Sequence, residues 1–205
     1  MLAETMATSV SRRVDSHSVQ LFDSDESLAG AISVFLRDGF RCRHTLMAVM
    51  DERRWYSVAM RLSASGIHID EALASGTLTV CDAAEALKGF MRRGRPDRDL
   101  FEHSIGDLVR ELSARGAPLR IYGEMVNVLA AHGEYTAAHE LEELWNDLAR
   151  RSEFRLFCGY ASAHFGDPRS ATALRRICAS HSRVLSNSRD VLGSFLLHAN
   201  HVIGD

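Results

Sequence analysis

Short apolar runs alternate with amphipathic stretches along most of this 205-residue chain. The runs cover residues 45–50 (TLMAVM), 77–81 (TLTVC), 119–122 (LRIY) and 154–160 (FRLFCGY). The first of them is apolar at almost every position, which is typical of a strand buried on both faces, as in parallel sheets. Strands that alternate with helices form βαβ units. The pattern therefore predicts an α/β protein with a mostly parallel central sheet and helices on both faces.

The stretches between these runs predict the helices, and a weaker alternating run over residues 17–22 predicts one more short strand. Apolar positions at helical spacing predict helices over residues 26–37, 53–64, 69–74, 83–91, 99–115, 126–131, 135–150 and 168 to about 185. Asp38 and Gly39 are expected to end the first helix, because glycine is a frequent helix terminator.

Size and composition fit one soluble domain with two extensions. Residues 1–16 are expected to be flexible, residues 17–185 to form the domain, and residues 186–205 to add a C-terminal helical extension. The net charge of -3 produces no basic field, so direct nucleic-acid binding is not expected. No run reaches the roughly 18 apolar residues that span a bilayer, and no secretion signal is evident. No membrane association and a cytoplasmic location are therefore expected.

Neither the cysteines nor the histidines form a local metal-binding motif. The four cysteines are far apart, contain no CxxC pair and are expected to be reduced thiols. The ten histidines contain no HExxH arrangement, and a pair such as His198 and His201 is more often incidental than ligating. No metal site is therefore predicted, and the identity of any cofactor stays open.

The loop after residues 45–50 argues against nucleotide hydrolysis. A phosphate loop needs glycines for a tight turn and a lysine that contacts the phosphates. Here the strand is followed by DERR (residues 51–54), and the only lysine in the chain is Lys88. No GxSxG elbow supports a hydrolase. We expect a protein that is not an enzyme; a residual enzyme with Glu124 as base and Cys158 as nucleophile is the alternative.

Polar side chains at the ends of the predicted strands indicate where a ligand would bind. In open α/β sheets, ligands bind outside the carboxyl ends of the strands. The residues expected at this edge are Asp51, Arg54, Asp82, Glu124 and Tyr160. Glu124 would orient a polar group of the ligand. Its alternative role is a solvated carboxylate in the first turn of the next helix, where the helix dipole favours a negative charge.

Cys158 and Trp145 each allow a structural and a functional interpretation. Cys158 lies in an apolar strand, on the same side as Tyr160, as either a buried small hydrophobe or a thiol that lines a pocket. Trp145 shares a helical face with three leucines, so its spacing alone favours a place in the core.

An ordered set of short phrases resembles the MEDS domain, a methanogen/methylotroph sensory domain. The phrases that carry most of the resemblance are GEM at residues 123–125, LEELWN at 141–146 and FCGY at 157–160, and a later match is ICASHSRV at 177–184. The resemblance runs from about His17 to Val184. It implies a fold related to RecA and to the circadian-clock ATPase KaiC, without a functional phosphate loop. It also adds His17, Trp145, Cys158 and His181 to the candidate ligand-binding residues.

The resemblance implies a sensory role with a small organic molecule as the ligand. Glu124 would fix its polar orientation, Trp145 and Tyr160 would supply apolar walls, and Cys158 would line the floor. Members of the family are commonly fused to histidine kinases or DNA-binding domains, and neither is evident here. The output is therefore expected through a signalling partner, such as a kinase or regulator, or through a homo-oligomer. The alternative is a ligand-free interaction or oligomerisation scaffold, with residues 191–203 as a docking helix.

Overall fold

A parallel six-stranded sheet forms the centre of the protein, whose computed structural model describes residues 16–166 and 168–185. The strands, in chain order, are β1 (His17–Phe22), β2 (Thr45–Met50), β3 (Leu78–Asp82), β4 (Met91–Arg92), β5 (Arg95–Pro96), β6 (Leu119–Gly123), β7 (Phe154–Ala161) and β8 (Arg183–Leu185). The main sheet has the order β3-β2-β6-β7-β1-β8, and every adjacent pair is parallel. The strands β4 and β5 form a separate antiparallel pair. The predicted α/β class and parallel sheet are confirmed.

Helices cover both faces of the sheet. They are α1 (Asp25–Arg41), α2 (Glu52–Ala64), α3 (Ile69–Ala74), α4 (Ala83–Phe90), α5 (Arg98–Phe101), α6 (Asp107–Ser113), α7 (Met125–Ala131), α8 (Tyr135–Ala149) and α9 (Pro168–Ala179). A π-helical segment, Glu102–Gly106, joins α5 to α6, and a 3₁₀ turn, Ser162–Phe165, follows β7. None of the helices in the described ranges has the length and apolar content needed to cross a bilayer.

Two apolar cores lie on opposite sides of the sheet because successive strand residues point to opposite faces. Met47 and Val49 of β2 enter the larger core, which α4 to α9 complete. Leu46 and Ala48 enter the smaller core, together with side chains of α1, α2 and α3. The strand β2 is buried at all six positions, as its unbroken apolar sequence predicted.

The predicted helix from residue 168 to about 185 is wrong in its last part. The helix α9 ends at Ala179, and Arg183–Leu185 form β8 beside β1. The backbone N–H of Ser182 donates to the carbonyl of His17 at 2.9 Å, which begins this pairing. Val184 then packs on the larger core and Leu185 on the smaller, the alternation of a strand.

The expected helix end at Asp38 and Gly39 is also wrong, since α1 continues to Arg41. Gly39 does not end the helix; its missing side chain allows α1 to pack closely against Leu46 of β2. A Cβ atom added there would lie 2.3 Å from Cδ2 of Leu46, a fully buried side chain of β2. The left-handed backbone conformation that follows the helix belongs to Arg43, with φ of 56°. Residues 1–15 and 186–205, with the predicted N-terminal extension and C-terminal helix, lie outside the described residues.

The contact between α1 and β2 predicts opposite effects for two glycine-to-alanine substitutions in one helix. Gly39→Ala should destabilise the protein by about 1–3 kcal/mol through overpacking. The higher helix propensity of alanine should offset up to about 1 kcal/mol of this cost. Gly30→Ala is the matched control, because nothing lies within 4 Å of its added Cβ. It should stabilise the protein by up to about 1 kcal/mol. Urea denaturation measures both, and equal stabilisation by the two variants would refute the close-approach explanation.

Candidate functional site

The carboxyl ends of β2 and β6 form a topological switch point. β2 continues through α2 and α3 to β3 on one side, whereas β6 continues through α7 and α8 to β7 on the other. The two connections therefore cover opposite faces and leave a crevice between the strand ends, where open α/β sheets bind ligands. Asp51 follows β2 and Glu124 follows β6. The backbone N–H of Glu124 donates to the carbonyl of Val49 at 2.9 Å, which holds the two strand ends together.

Arg54 joins three elements at this crevice. From the first turn of α2 it donates through Nε to Oε2 of Glu124 at 2.9 Å and through Nη1 to Oδ1 of Asp25 at 2.7 Å. Its guanidinium also lies over the ring of Phe22, 5.4 Å from the centroid. The side chains of Arg54 and Glu124 are 11% and 2% exposed, so this is a nearly buried ion pair.

The environment changes the proton affinity of both partners in the pair. Burial raises the pKa of Glu124 above its ordinary value, and Arg54 limits that rise. Burial opposes the charge of Arg54, but the hydrogen bond and charge of Glu124 raise the pKa of the guanidinium. Arg54 therefore stays charged, and Glu124 depends on it for compensation in a poorly solvated position.

A cleft with a volume of about 660 Å³ opens above this pair, between α1 and α2. The lining residues carry charges of both signs, and they are Asp25, Glu26, Ala29, Asp51, Arg53, Arg54, Ser57 and Arg61. Asp51 caps α2, because its Oδ1 accepts the backbone N–H groups of Arg53 at 2.9 Å and Arg54 at 3.3 Å. A carboxylate of the chain itself thus uses the donors at this helix start.

Asp82 has a similar capping role at the sheet edge. It ends β3, is exposed, and accepts the backbone N–H of Glu85 through Oδ1 at 2.8 Å. Asp82 therefore caps the N-terminus of α4, and its hydrogen bond does not connect it to the ion pair of Arg54 and Glu124.

A second group of polar side chains is buried under α8, on the face of the larger core. We call it the Glu142 cluster; its members are His17 of β1, Glu142 of α8, Cys158 of β7 and His181 after α9. One ligand atom from each lies within 4.8 Å of the others. Nε2 of His17 lies 3.3 Å from Oε2 of Glu142 and 3.4 Å from Sγ of Cys158. Sγ and Oε2 are 3.8 Å apart.

The second oxygen of Glu142 faces Tyr160 and His181. The hydroxyl of Tyr160 donates to Oε1 at 2.8 Å. Nε2 of His181 lies 3.4 Å from the same oxygen, close enough for electrostatic attraction but without the geometry of a hydrogen bond. The rings of His17 and His181 are 4.1 Å apart between centroids. The cluster therefore draws both histidines, the thiol and the phenol around one carboxylate.

The proton affinities in the cluster follow from burial and from Glu142. Burial would raise the pKa of Glu142, but the neighbouring His181 and His17 lower it well below its ordinary range. Burial would lower the pKa of His181, but Glu142 raises it. Burial and the same carboxylate raise the pKa values of Cys158 and Tyr160. Without a cation at its centre, Glu142 is a carboxylate that favours the protonated, positively charged form of His181, and Cys158 is a protonated thiol.

The predicted site residues thus fall into two groups instead of one edge. Asp51, Arg54 and Glu124 meet at the carboxyl edge, whereas His17, Cys158, Tyr160 and His181 meet under α8. Trp145 is 1% exposed and packs edge-on against Phe101 and Phe154, as its helical spacing indicated.

Sequence reasoning left out two residues that turn out to be central. Asp25 is an acidic residue in the first turn of α1, a common position for such residues, yet it pairs with Arg54. Glu142 and Asn146 share a helical face, which fitted either ligand contact or solvent exposure; Glu142 is fully buried. The spacing of Glu142 and Asn146 in the sequence shows that they share a helical face, but the histidine that they both contact, His17, comes from a distant part of the chain.

These features define a doubly covered parallel α/β domain with a charged cleft at a switch point and a polar cluster in one core. The chain belongs to the MEDS family, described as the MEthanogen/methylotroph, DcmR Sensory domain, whose family model matches residues 16–182. The match covers most of the chain, so the resemblance found in the sequence is confirmed, and a sensory role is supported. A search of the curated proteins finds no match to this chain.

The ion pair at the cleft predicts a large stability effect for one arginine of α2 and a small effect for another. Arg54→Ala should cost about 3–5 kcal/mol, because it leaves Glu124 buried without its cation. Arg61→Ala is the matched control, since Arg61 and its partner Glu26 are 43% and 86% exposed. It should change stability by less than about 1 kcal/mol. Urea denaturation at pH 7 compares them, and similar costs for the two variants would contradict this interpretation of the pair.

Proposed function

We propose that the protein is a non-enzymatic sensor that binds a small organic molecule in the cleft between α1 and α2. The observation that carries this proposal is the position of Arg54, which joins α1, α2 and the end of β6 at a topological switch point. The sensory family of the chain supports the general role, and the cleft supplies the place for a ligand.

The chemistry of the cleft favours a small organic compound over a nucleotide. The backbone donors at the start of α2 already bind Asp51, whose carboxylate would repel a phosphate. Arg54 is committed to two carboxylates, so a polyanion would have to displace both. A compound with one polar group can instead share a donor of Arg54 or an oxygen of Asp25, with its apolar part against Ala29.

The bridge from Arg54 gives ligand binding a route to a conformational change. Asp25 is an exposed residue of α1, whereas Glu124 is buried at the sheet. A ligand that competes with Asp25 for Nη1 breaks this contact between α1 and α2, while the Glu124 contact stays intact. The two arrangements would differ in affinity for the ligand, which is the condition for a population shift.

The outer face of α2 offers a place for the output. Tyr56 and Met60 are 69% and 57% exposed, and they border a groove of about 450 Å³ together with Ile67 and Ile69. One helix thus carries the ligand-facing arginine and an exposed apolar surface. We propose that this surface contacts a signalling protein, such as a kinase or regulator, or a second copy of the chain, and that nucleic acid is not a direct partner.

The same surface favours a second candidate function, a ligand-free interaction or oligomerisation scaffold. In that case the groove beside Met60 would carry the function, and the cleft at Arg54 would be vestigial. The docking helix expected at residues 191–203 lies outside the described residues.

A cytoplasmic location forms part of the proposal. All four cysteines are free thiols, two of them buried, which suits a reducing compartment.

Ligand binding in the cleft can be tested with two serines of α2. We expect at least one compound from a panel of short-chain alcohols, amines, carboxylates and halogenated methanes to show saturation transfer in ligand-observed NMR. Ser57→Phe should fill the cleft and abolish the transfer, whereas Ser63→Phe, placed at the apolar groove, should leave it unchanged. Absence of transfer across the panel, or equal transfer to both variants, would contradict the proposal.

Self-association through α2 gives a separate prediction. If a second copy is the partner, sedimentation velocity should show a concentration-dependent dimer that Met60→Glu abolishes. Val34→Glu, at an exposed valine of α1, serves as the control and should leave the dimer intact. If the wild-type protein stays monomeric, a second copy is not the partner, and the surface would have to bind a different protein. A dimer that survives Met60→Glu would place the contact elsewhere.

A further inference from the structure

The Glu142 cluster contains a donor set that is unusual for a hydrophobic core. Two imidazoles, a carboxylate and a thiol converge from four separate segments, and all four side chains are buried. Polar groups are costly to bury unless they are paired, and charged groups are costlier. In the described part of the chain, Nε2 of His181 is one of the few buried side-chain atoms without a hydrogen-bond partner, although it points at Glu142. The cluster is therefore incomplete as a hydrogen-bond network.

The distances between the donors match the edges of a tetrahedral metal site. With metal bonds of about 2.0 Å to nitrogen or oxygen and about 2.3 Å to the single sulfur, neighbouring ligands in a tetrahedron lie about 3.3–3.5 Å apart. The distances from Nε2 of His17 to Oε2 of Glu142 and to Sγ of Cys158 are 3.3 and 3.4 Å, and Sγ to Oε2 is 3.8 Å. All donor pairs lie within 4.8 Å, so the widest of them would have to shorten by at most about 1.5 Å to form a tetrahedral site.

Hydrogen bonds behind the histidines orient them as ligands. Nδ1 of His17 lies 2.9 Å from Oδ1 of Asn146, and the amide of Asn146 is fixed because Nδ2 donates to the carbonyl of Ser180 at 3.0 Å. Nδ1 of His181 lies 2.6 Å from the carbonyl of Ile177. Both partners only accept, so both Nδ1 atoms carry a proton. When a metal binds, each Nε2 can therefore present its lone pair to the ion, and any proton on Nε2 leaves to solvent. Such outer hydrogen bonds accompany nearly every metal-ligating histidine.

We propose that His17, Glu142, Cys158 and His181 bind one divalent transition-metal ion, with Zn²⁺ as the cation that the donor set fits best. Zinc accepts nitrogen, oxygen and sulfur ligands in a tetrahedron and needs no further group when four protein ligands are present. On binding, the Sγ–H bond of Cys158 breaks, its proton leaves to solvent, and the sulfur electron pair forms the bond to the metal. Tyr160 keeps its hydrogen bond to Oε1 of Glu142.

The metal would cross-link the end of the sheet formed by β7, β1 and β8. His17 begins β1, Cys158 lies in β7, and His181 lies two residues before the start of β8, so one ion would join the region of three neighbouring strands to α8. The site is enclosed by protein ligands, which is typical of a structural metal centre. This proposal does not depend on the ligand cleft at Arg54, which belongs to other elements of the fold.

Cobalt titration of the untagged, metal-stripped protein tests the site. We expect Co²⁺ to bind at one equivalent and to produce the intense visible absorption of a tetrahedral centre, with a thiolate-to-metal charge-transfer band in the near ultraviolet. One equivalent of Zn²⁺ should bleach both features and raise the melting temperature. Failure of the wild-type protein to give these bands, with no zinc found by elemental analysis of protein purified from zinc-supplemented cells, would overturn the proposal.

Matched variants locate the metal. Cys158→Ser should remove the charge-transfer band and His181→Gln should weaken Co²⁺ binding at least tenfold, with circular dichroism as the check on folding. Cys178→Ser and His164→Gln are the controls and should leave the spectrum unchanged. If Cys158→Ser does not fold, the binding of one Co²⁺ per wild-type chain and its weakening in His181→Gln still test the site, and unchanged binding in His181→Gln would contradict it. A charge-transfer band that persists in Cys158→Ser would assign the metal to other residues.

Discussion

The carboxylate of Glu142 is the interaction on which one half of the structure depends. It has no exposed surface, and a buried charge is tolerated only when other groups compensate it. Its partners come from β1, β7 and the segment before β8, so this group is compensated only when these three parts of the chain are brought together. The strand β1, which supplies His17, lies between β7 and β8 and so brings these partners together.

The other half of the structure is organised by a second buried carboxylate, that of Glu124. Its compensation comes from Arg54, which in turn contacts Asp25 at the solvent edge. The two carboxylates connect different parts of the fold. Glu142 contacts side chains from neighbouring strands in the larger core, whereas Glu124 connects the end of β6, through Arg54, to α1 and α2. A rigid cluster under α8 and an exchangeable contact at α1 would give a sensor both a fixed frame and a part that responds.

Sequence alone could predict the sheet because its strongest evidence is local. Residues 46–50 are apolar at every position, and their short length fits a strand covered on both sides. The same local reasoning placed Asp51 and Glu124 at one edge, since the carboxyl ends of parallel strands meet there. It failed for β8, whose three residues become a strand through pairing with β1 and not through their own propensity. It also misjudged Gly39, where the decisive contact is Leu46 of another element.

The Glu142 cluster shows why functional sites are harder to predict than folds. His17 and Cys158 are separated by 141 positions, and no spacing rule connects residues so distant. The family resemblance selected His17, Cys158 and His181 individually, but their common partner on α8 emerged only from the packing of that helix on the sheet. Glu142 and Asn146, whose shared helical face fits either ligand contact or solvent exposure, contact His17 in the core of the protein.

The most direct test is anomalous diffraction at the zinc absorption edge, from crystals of the protein grown with one equivalent of Zn²⁺. The account predicts one strong anomalous peak within about 2.0–2.3 Å of the donor atoms of His17, Glu142, Cys158 and His181. A difference map with no peak there, or with its main peak at surface histidines, would contradict it.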